Sequence, residues 1–154
     1  MANPLTLYVP IKQDDATQLK AIGTSLMFKS LVKDALDATK NVHYARLSLI
    51  PNAKPDPETG KIKINAILLI TSFDQDMTTY LNVFWNEPTG SVKAAFIGLA
   101  GLMENGPEHP ESFDPTQFVN FITTNNLNKQ QDNFYQAYPD LLVTDILDAP
   151  CLQG

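Results

Sequence analysis

Three neighbouring side chains are the residues of this chain best suited to chemistry. His43, Tyr44 and Arg46 lie within Val42–Ile50, which we predict to be a β-strand. On a strand, Tyr44 and Arg46 share one face and His43 takes the other. A guanidinium and a phenol on one face suit an anionic or carbonyl-bearing ligand, because arginine can bind a carboxylate through two hydrogen bonds. The pattern therefore predicts a ligand-binding pair at Tyr44 and Arg46.

Two tyrosines near the end of the chain can complete that site. The segment Phe134–Tyr138 is predicted to be a short last strand, so Tyr135 or Tyr138 would add a phenol to a pocket between sheet and helices. In the alternative interpretation, Arg46 pairs with an acidic group across a dimer and the tyrosines fill space in the core. The residues alone leave both interpretations open.

His43 is one of only two histidines, and an imidazole can act as a general base or ligate haem iron. His43 and Arg46 are therefore the catalytic candidates, although a histidine without a partner at motif spacing is also an ordinary packed residue. His109 lies in a loop rich in proline and glutamate and is predicted to be solvated. Asp74 and Asp76 are predicted to cap a helix rather than to bind a metal.

Composition excludes several classes of protein. The net charge of −6 disfavours nucleic acid and anionic membranes, since both are negatively charged. The longest apolar run, Ala66–Ile70, is far shorter than the roughly 20 residues of a membrane span. One cysteine, Cys151, cannot form an intrachain disulfide, and the start of the chain lacks the features of a signal peptide. We therefore expect a cytoplasmic protein without a metal site.

The elements that must position these residues follow from periodicity and turn signals. Leu19, Ile22 and Leu26 share one face of a first helix, and because the stripe shifts near Met27 we expect a bend or break there. The third strand, Ile62–Phe73, has a centre that is apolar on both faces, which is typical of a strand in the middle of its sheet. The loop that joins it to the second strand predicts an antiparallel hairpin. Asp114 followed by Pro115 predicts the start of a helix, and Val143–Leu147 is predicted to be a short terminal helix.

The order of elements is β-α-β-β-α-(α-α)-β-α, which is the split βαβ pattern of a ferredoxin-like fold with two inserted helices. We predict one α+β domain over residues 1–154, with the helical insertion at about 89–127. A four-stranded sheet with helices on one side leaves its other face bare. Two such sheets can pack into a shared barrel, so a homodimer is expected. Alternatively, the inserted helices cover the open face of one chain.

Four segments carry a resemblance to a known family. Leu5–Lys12 resembles the opening strand of dimeric α+β barrel proteins, and three further segments are similar to a bacterial group within that superfamily, sometimes labelled peroxidase-like: Val42–Arg46, Ser72–Leu81 and Phe134–Asp140. The resemblance implies the fold and a dimer. The group pattern has a His-Cys pair where this chain reads Ile97-Gly-Leu-Ala-Gly101, so that chemistry lacks its residues here.

Three classes of function remain after these arguments. The first is a protein that binds a small organic ligand, anionic or neutral, between sheet and helices, and the residues favour this class. The second is an enzyme, either a haem-dependent peroxidase or a cofactor-free oxygenase, with His43 and Arg46 carrying the chemistry. The third is an accessory interaction module without a pocket.

Overall fold

Three strands and five α-helices make up the part of the chain that the computed structural model describes, residues 2–128 and 142–147. The strands are β1 (Asn3–Pro10), β2 (Val42–Pro51) and β3 (Ile64–Phe73). The helices are α1 (Asp15–Thr39), α2 (Met77–Trp85), α3 (Ser91–Leu102), α4 (Pro115–Asn125) and α5 (Val143–Leu147), with a one-turn helix at Pro110–Ser112. The predicted α+β class is confirmed.

The sheet has the order β1-β3-β2, and β3 runs antiparallel to both neighbours. The register places Leu69 of β3 opposite Leu7 of β1 and Leu47 of β2. The central position predicted for the third strand and the antiparallel β2–β3 hairpin are confirmed. The fourth strand of the predicted pattern, Phe134–Tyr138, lies outside the described residues, so the ferredoxin-like fold stays a prediction.

One face of the sheet carries the helices and the core. Leu5, Leu7 and Val9 of β1 are fully buried on that face, because alternate residues of a strand point to the same side. Phe96 of α3 and Phe118 of α4 pack into the same core and meet each other edge to face. The inserted helices therefore lie on the same side as α1, and they do not cross the open face. No helix in the described part is long and apolar enough to cross a membrane.

The helix α1 differs from expectation in two ways. It runs without interruption for 25 residues, so the helix has no break near Met27, where we expected a bend or a break. The stripe expected to be buried points outward instead, with Leu19 71% and Leu26 81% exposed. The residues that face the core from this half of α1 are small or polar, namely Thr17, Gln18 and Ala21. Apolar periodicity therefore identified a face of the helix, but the sheet packs against the opposite one.

Aspartates fix the starts of three helices. Asp14 accepts a hydrogen bond from the backbone of Thr17, and Asp76 accepts one from that of Thr79. Asp114 forms a capping box at the start of α4, as the Asp-Pro pair predicted. The side-chain hydrogen bond from Thr79 holds the pKa of Asp76 below its ordinary value. Asp76 is therefore the cap of α2, which leaves Asp74 available for another contact.

Candidate functional site

His43 has an acidic partner that sequence spacing did not reveal. Its Nε2 lies 2.9 Å from Oδ1 of Asp74, across 31 positions of sequence. A carboxylate only accepts hydrogen bonds, so the contact favours a proton on Nε2 and leaves Nδ1 as the acceptor nitrogen. An imidazole oriented in this way has the arrangement of a general base.

A β-bulge places His43 beside Asp74. The register of β2 against β3 shifts between Val42 and Tyr44, so that His43 is the extra residue. Bulges bend a strand and re-aim a side chain, and they are common next to functional sites. The nearby end of β3 is fixed, because the backbone N–H of Asp74 donates to the carbonyl of Asn41 at 2.8 Å.

Asp74 also has a structural role. Its Oδ2 accepts a hydrogen bond of 2.8 Å from the backbone N–H of Val143, the first residue of α5. The carboxylate therefore joins the sheet to α5 as well as orienting His43. Beside it, Oδ1 of the buried Asn41 has no hydrogen-bond partner in the structure. The His43–Asp74 pair is thus at once a tie between elements and a group with the geometry of an acid–base pair.

Tyr44 and Arg46 lie on the open face of the sheet. Ala45 lies between Tyr44 and Arg46 on the strand, and Leu47 follows Arg46. Ala45 and Leu47 face the helices, and because successive residues of a strand alternate in direction, Tyr44 and Arg46 face away from the helices. Arg46 is exposed, Tyr44 is 51% exposed, and Arg46 forms no ion pair with any described residue. The two side chains do share a face, as predicted. That face is not the one toward the helices, so a pocket between sheet and helices is not lined by Tyr44 and Arg46.

The other two predicted ligand contacts, Tyr135 and Tyr138, lie outside the described residues, and so does Cys151. His109 lies at the surface, where its Nδ1 is 3.0 Å from a carboxylate oxygen of Glu111. This placement agrees with the solvated loop position expected for it. Among residues 2–128 and 142–147, no three histidine, cysteine or acidic side chains come close enough to hold a metal ion.

A cleft does open between α1 and the sheet, at the outer edge of β2. Its volume is about 290 Å³, and its floor is apolar: Phe28, Val32, Leu36 and Ala45. Small-molecule sites in proteins begin at volumes of roughly 300 Å³ and are mostly apolar with a few polar groups. The cleft therefore has the size and lining of a site for a small organic molecule.

Behind the cleft lies a second, smaller space. The same four floor residues line it together with side chains of β3, α2 and α3, and its free volume is about 20 Å³. That is close to the space one water molecule occupies. At its wall the hydroxyl of Tyr80 lies 3.2 Å from Oγ1 of Thr71, and burial raises the pKa of Tyr80. The interior is therefore nearly closed, and a ligand larger than water would lie in the outer cleft.

Charged groups stand at the mouth of the cleft. Lys29, Lys33 and Asp37 complete its lining. Lys33 is hydrogen-bonded to Asp37 one turn later, and that contact raises the pKa of the Lys33 ammonium. Lys29 forms no ion pair with any described residue. The mouth therefore presents one paired and one unpaired ammonium above an apolar floor.

Sequence reasoning missed every residue of this cleft as a site residue. The sequence predicts only core positions for Phe28, Val32 and Ala45, because an apolar side chain does not indicate a ligand. The available signal was the lysine pair at i and i+4, Lys29 and Lys33, beside an apolar stripe on a predicted helix. Comparisons with protein-family models, with curated proteins and with solved structures found no match to this chain. The function is therefore argued from the geometry alone.

Proposed function

We propose that this chain binds a small amphipathic organic anion in the cleft between α1 and β2. The observation that carries the proposal is an apolar cleft of about 290 Å³ with two lysines at its mouth. An apolar body would cover Phe28, Val32 and Leu36 and displace water from them, which is favourable at roughly 25 cal/mol per Å² of apolar surface. The binding class is the one predicted from sequence, with a different set of lining residues.

The charge at the mouth supports an anion over a cation. Lys29 is exposed and unpaired among the described residues, whereas Asp37 is already engaged by Lys33. An acidic head group would find an unneutralised ammonium at the rim of the cleft. The rest of the chain is acidic, with a net charge of −6, so this local positive charge is the exception.

The enzyme alternative, with His43 and Arg46 as catalytic residues, ranks second. The contact between His43 and Asp74 favours it, because an oriented imidazole suits proton transfer. Against it, the helix-covered interior has about 20 Å³ of free space, which does not admit haem. A haem group would therefore have to bind at another place on the chain.

Titration calorimetry with dodecanoate tests the proposal, with dodecyltrimethylammonium as the probe of opposite charge. We expect dodecanoate to bind and Lys29→Gln to weaken it by about fivefold, since an exposed ion pair is worth under about 1 kcal/mol. Ala45→Phe places a ring in the cleft and is expected to abolish binding. The cation should bind more weakly than the acid.

Matched controls separate the cleft from the rest of the surface. Lys20→Gln removes an exposed lysine of the same helix that does not line the cleft, and Ala53→Phe adds the same ring in an exposed loop. Both should leave binding unchanged. Equal binding of dodecanoate to wild type and Ala45→Phe would refute the proposal. A haemin absorption band that disappears in His43→Ala, without dodecanoate binding, would favour the enzyme instead.

We also propose the finer features expected from sequence: a ferredoxin-like fold, a homodimer and a cytoplasmic location. A fourth strand would pair with the edge of β1 that faces away from β3, where Asn126 forms a bridge to Leu7 and the N–H of Leu127 donates to the carbonyl of Thr6 at 2.8 Å. A single cysteine supports a reducing compartment. Support for self-association comes from the exposed apolar side chains of α1.

A further inference from the structure

The largest exposed apolar side chains of the described chain gather on the outward side of α1. Nine large apolar residues are exposed in all, and five of them belong to this helix: Leu19, Ile22, Leu26, Met27 and Leu31. The other four are spread over β2, two loops and the residue before α5, and single exposed apolar residues are ordinary. A contiguous apolar stripe on one helix instead marks an interaction surface.

We propose that Leu19, Ile22, Gly23 and Leu26, here called the outer stripe, pair with the outer stripe of a second copy in an antiparallel arrangement. This inference rests on the proposed self-association, and it does not require a bound ligand. The stripe is symmetric about a point between Ile22 and Gly23. A two-fold axis through that point sets Leu19 level with Leu26 of the second copy, so that each leucine is covered.

Gly23 supports a close approach at that axis. Glycine in the middle of a helix is the least favourable residue after proline. Within residues 2–128 and 142–147 no contact explains Gly23, since a Cβ built there meets no atom within 4 Å. A second helix lying across this position would use the missing side chain, because it allows two helix axes to come to the near end of their usual separation of about 8–10 Å.

Charge selects the antiparallel orientation over the parallel one. Asp15 and Lys29 lie on the same side of the outer stripe, fourteen residues apart and nearly equidistant from its centre. Antiparallel pairing brings Asp15 of one copy beside Lys29 of the other, twice by symmetry. Parallel pairing would set Lys29 beside Lys29. Asp15 has a side chain that is 95% exposed, and one of its carboxylate oxygens lies 3.6 Å from Nζ of Lys63. Such an exposed pair is weak, and it leaves the second carboxylate oxygen for the contact with Lys29 of the other copy.

The open face of the sheet is the competing surface for a dimer. Its apolar members Tyr8, Leu68 and Ile70 are only partly exposed, and its exposed members Tyr44 and Arg46 are polar or charged at their ends. Apolar area left in water is therefore greater on α1 than on this face. One helix buries less than the ~800 Å² per partner of a standard interface, so we expect a monomer–dimer equilibrium that depends on concentration.

Sedimentation velocity over a range of protein concentrations tests the surface. We expect the wild type to shift from monomer to dimer, and Leu19→Gln with Leu26→Gln to stay monomeric over the same range. Ile62→Gln is the matched control, because Ile62 is a 62% exposed apolar residue far from α1 in the β2–β3 loop. Gly23→Leu should also weaken the dimer while the isolated helix becomes more favourable.

Cysteine cross-linking in a Cys151→Ser background tests the orientation. Ile22→Cys should form a disulfide-linked dimer under mild oxidation, since a disulfide needs Cα atoms within roughly 7 Å. Leu19→Cys alone should not link, because its mate across the axis is displaced by about 10 Å along the helix. A mixture of Leu19→Cys with Leu26→Cys should link.

The experimental outcomes distinguish self-association of the chain from the choice of α1 as the interface. A wild type that stays monomeric at every concentration overturns self-association and the surface together. A dimer that persists in Leu19→Gln with Leu26→Gln, but is lost in Arg46→Ala, overturns only the surface and assigns the interface to the open sheet face. Efficient linking of Leu19→Cys to itself would show a parallel pair and overturn the antiparallel arrangement. Because Lys29 takes part in both proposals, dodecanoate binding is measured at protein concentrations at which the chain is monomeric, where none of these results changes it.

Discussion

The two halves of α1 present their apolar residues in opposite directions. In the first half Leu19, Ile22 and Leu26 point away from the sheet, and in the second half Phe28 and Val32 point toward it. Both halves belong to one continuous helix. Most of the apolar stripe therefore changes side without a break in the helix, Leu31 being the exception at 43% exposed. Periodicity alone shows that a helix has an apolar face, but it does not show whether that face meets the chain's own core or something outside it.

Different forces fix the two halves in place. In the first half the buried Gln18 donates to the carbonyls of Lys12 and Ile64 at 3.1 and 3.0 Å, and it accepts from the N–H of Ile64 at 2.7 Å. In the second half Val32 and Ala35 are buried among apolar side chains. Gln18 is thus a polar anchor at the start of α1, and apolar packing holds its end. Because these contacts are all on the inward side, the outer stripe is not needed to hold the helix on the sheet.

The largest expected effect comes from a charge placed on the inward side. Val32→Asp buries a carboxylate without a partner, so we expect a loss of about 4 kcal/mol in the free energy of unfolding. Urea unfolding followed by circular dichroism measures it.

Leu26→Asp is the matched change on the outward side. At protein concentrations low enough to exclude self-association, we expect a loss of only about 0.5 kcal/mol, from helix propensity. Equal losses for the two variants would show that the outer stripe is covered within the monomer, and the difference between the halves would disappear.

The second-largest expected loss of stability comes from Gln18, the polar anchor of the first half of α1. Gln18→Ala leaves the carbonyl of Lys12 and the N–H of Ile64 without their partner, while the carbonyl of Ile64 keeps only Gln13, so we expect a loss of about 2 kcal/mol in the free energy of unfolding. The control is Gln13→Ala, which removes another glutamine bonded to the carbonyl of Ile64 but exposed to water. Its expected loss is below about 0.5 kcal/mol. Similar losses of stability in Gln18→Ala and Gln13→Ala would mean that the hydrogen bonds of the buried Gln18 stabilise the fold no more than those of the exposed Gln13.

Much of the fold was predictable because its signals are local. The two-sided apolar run of Ala66–Ile70 identified the central strand, and Asp114-Pro115 identified the start of α4. The short helix Val143–Leu147 was also predicted where it lies. The orientation of α1 was not, because it depends on which surface the sheet meets. Gln18 decides that through contacts with Ile64, which is 46 positions away.

The candidate site was less predictable than the fold for the same reason. His43 was singled out by type, but its partner Asp74 comes close only through a bulge in β2 and the end of β3. Tyr44 and Arg46 were correctly placed on one face, while the side of the sheet that receives the helices could not be known. The cleft needs Phe28 of α1 and Ala45 of β2 to meet, and neither residue type signals a ligand.

The smallest expected effect on stability comes from Asp14, which caps the first turn of α1. The hydroxyl of Thr17 donates to Asp14 at 2.7 Å, and with the backbone N–H it holds the pKa of Asp14 below the ordinary value of 3.8. A lowered pKa means that the folded chain prefers the charged form. The cap therefore stabilises fully above the unfolded pKa, and the stabilisation is lost as the pH falls through the folded pKa.

We accordingly expect Asp14→Ala to lower the melting temperature at neutral pH by less than Gln18→Ala does, and the deficit to shrink well below pH 3.8. Asp14→Asn keeps an acceptor at the cap without a titrating group, so its pH dependence should lack this step. Asp56, whose pKa the backbone of Thr59 lowers to about 2, titrates in all variants and cancels in the difference. A deficit that stays constant with pH would show that the charge of Asp14 contributes nothing, and that the first half of α1 depends on Gln18 alone.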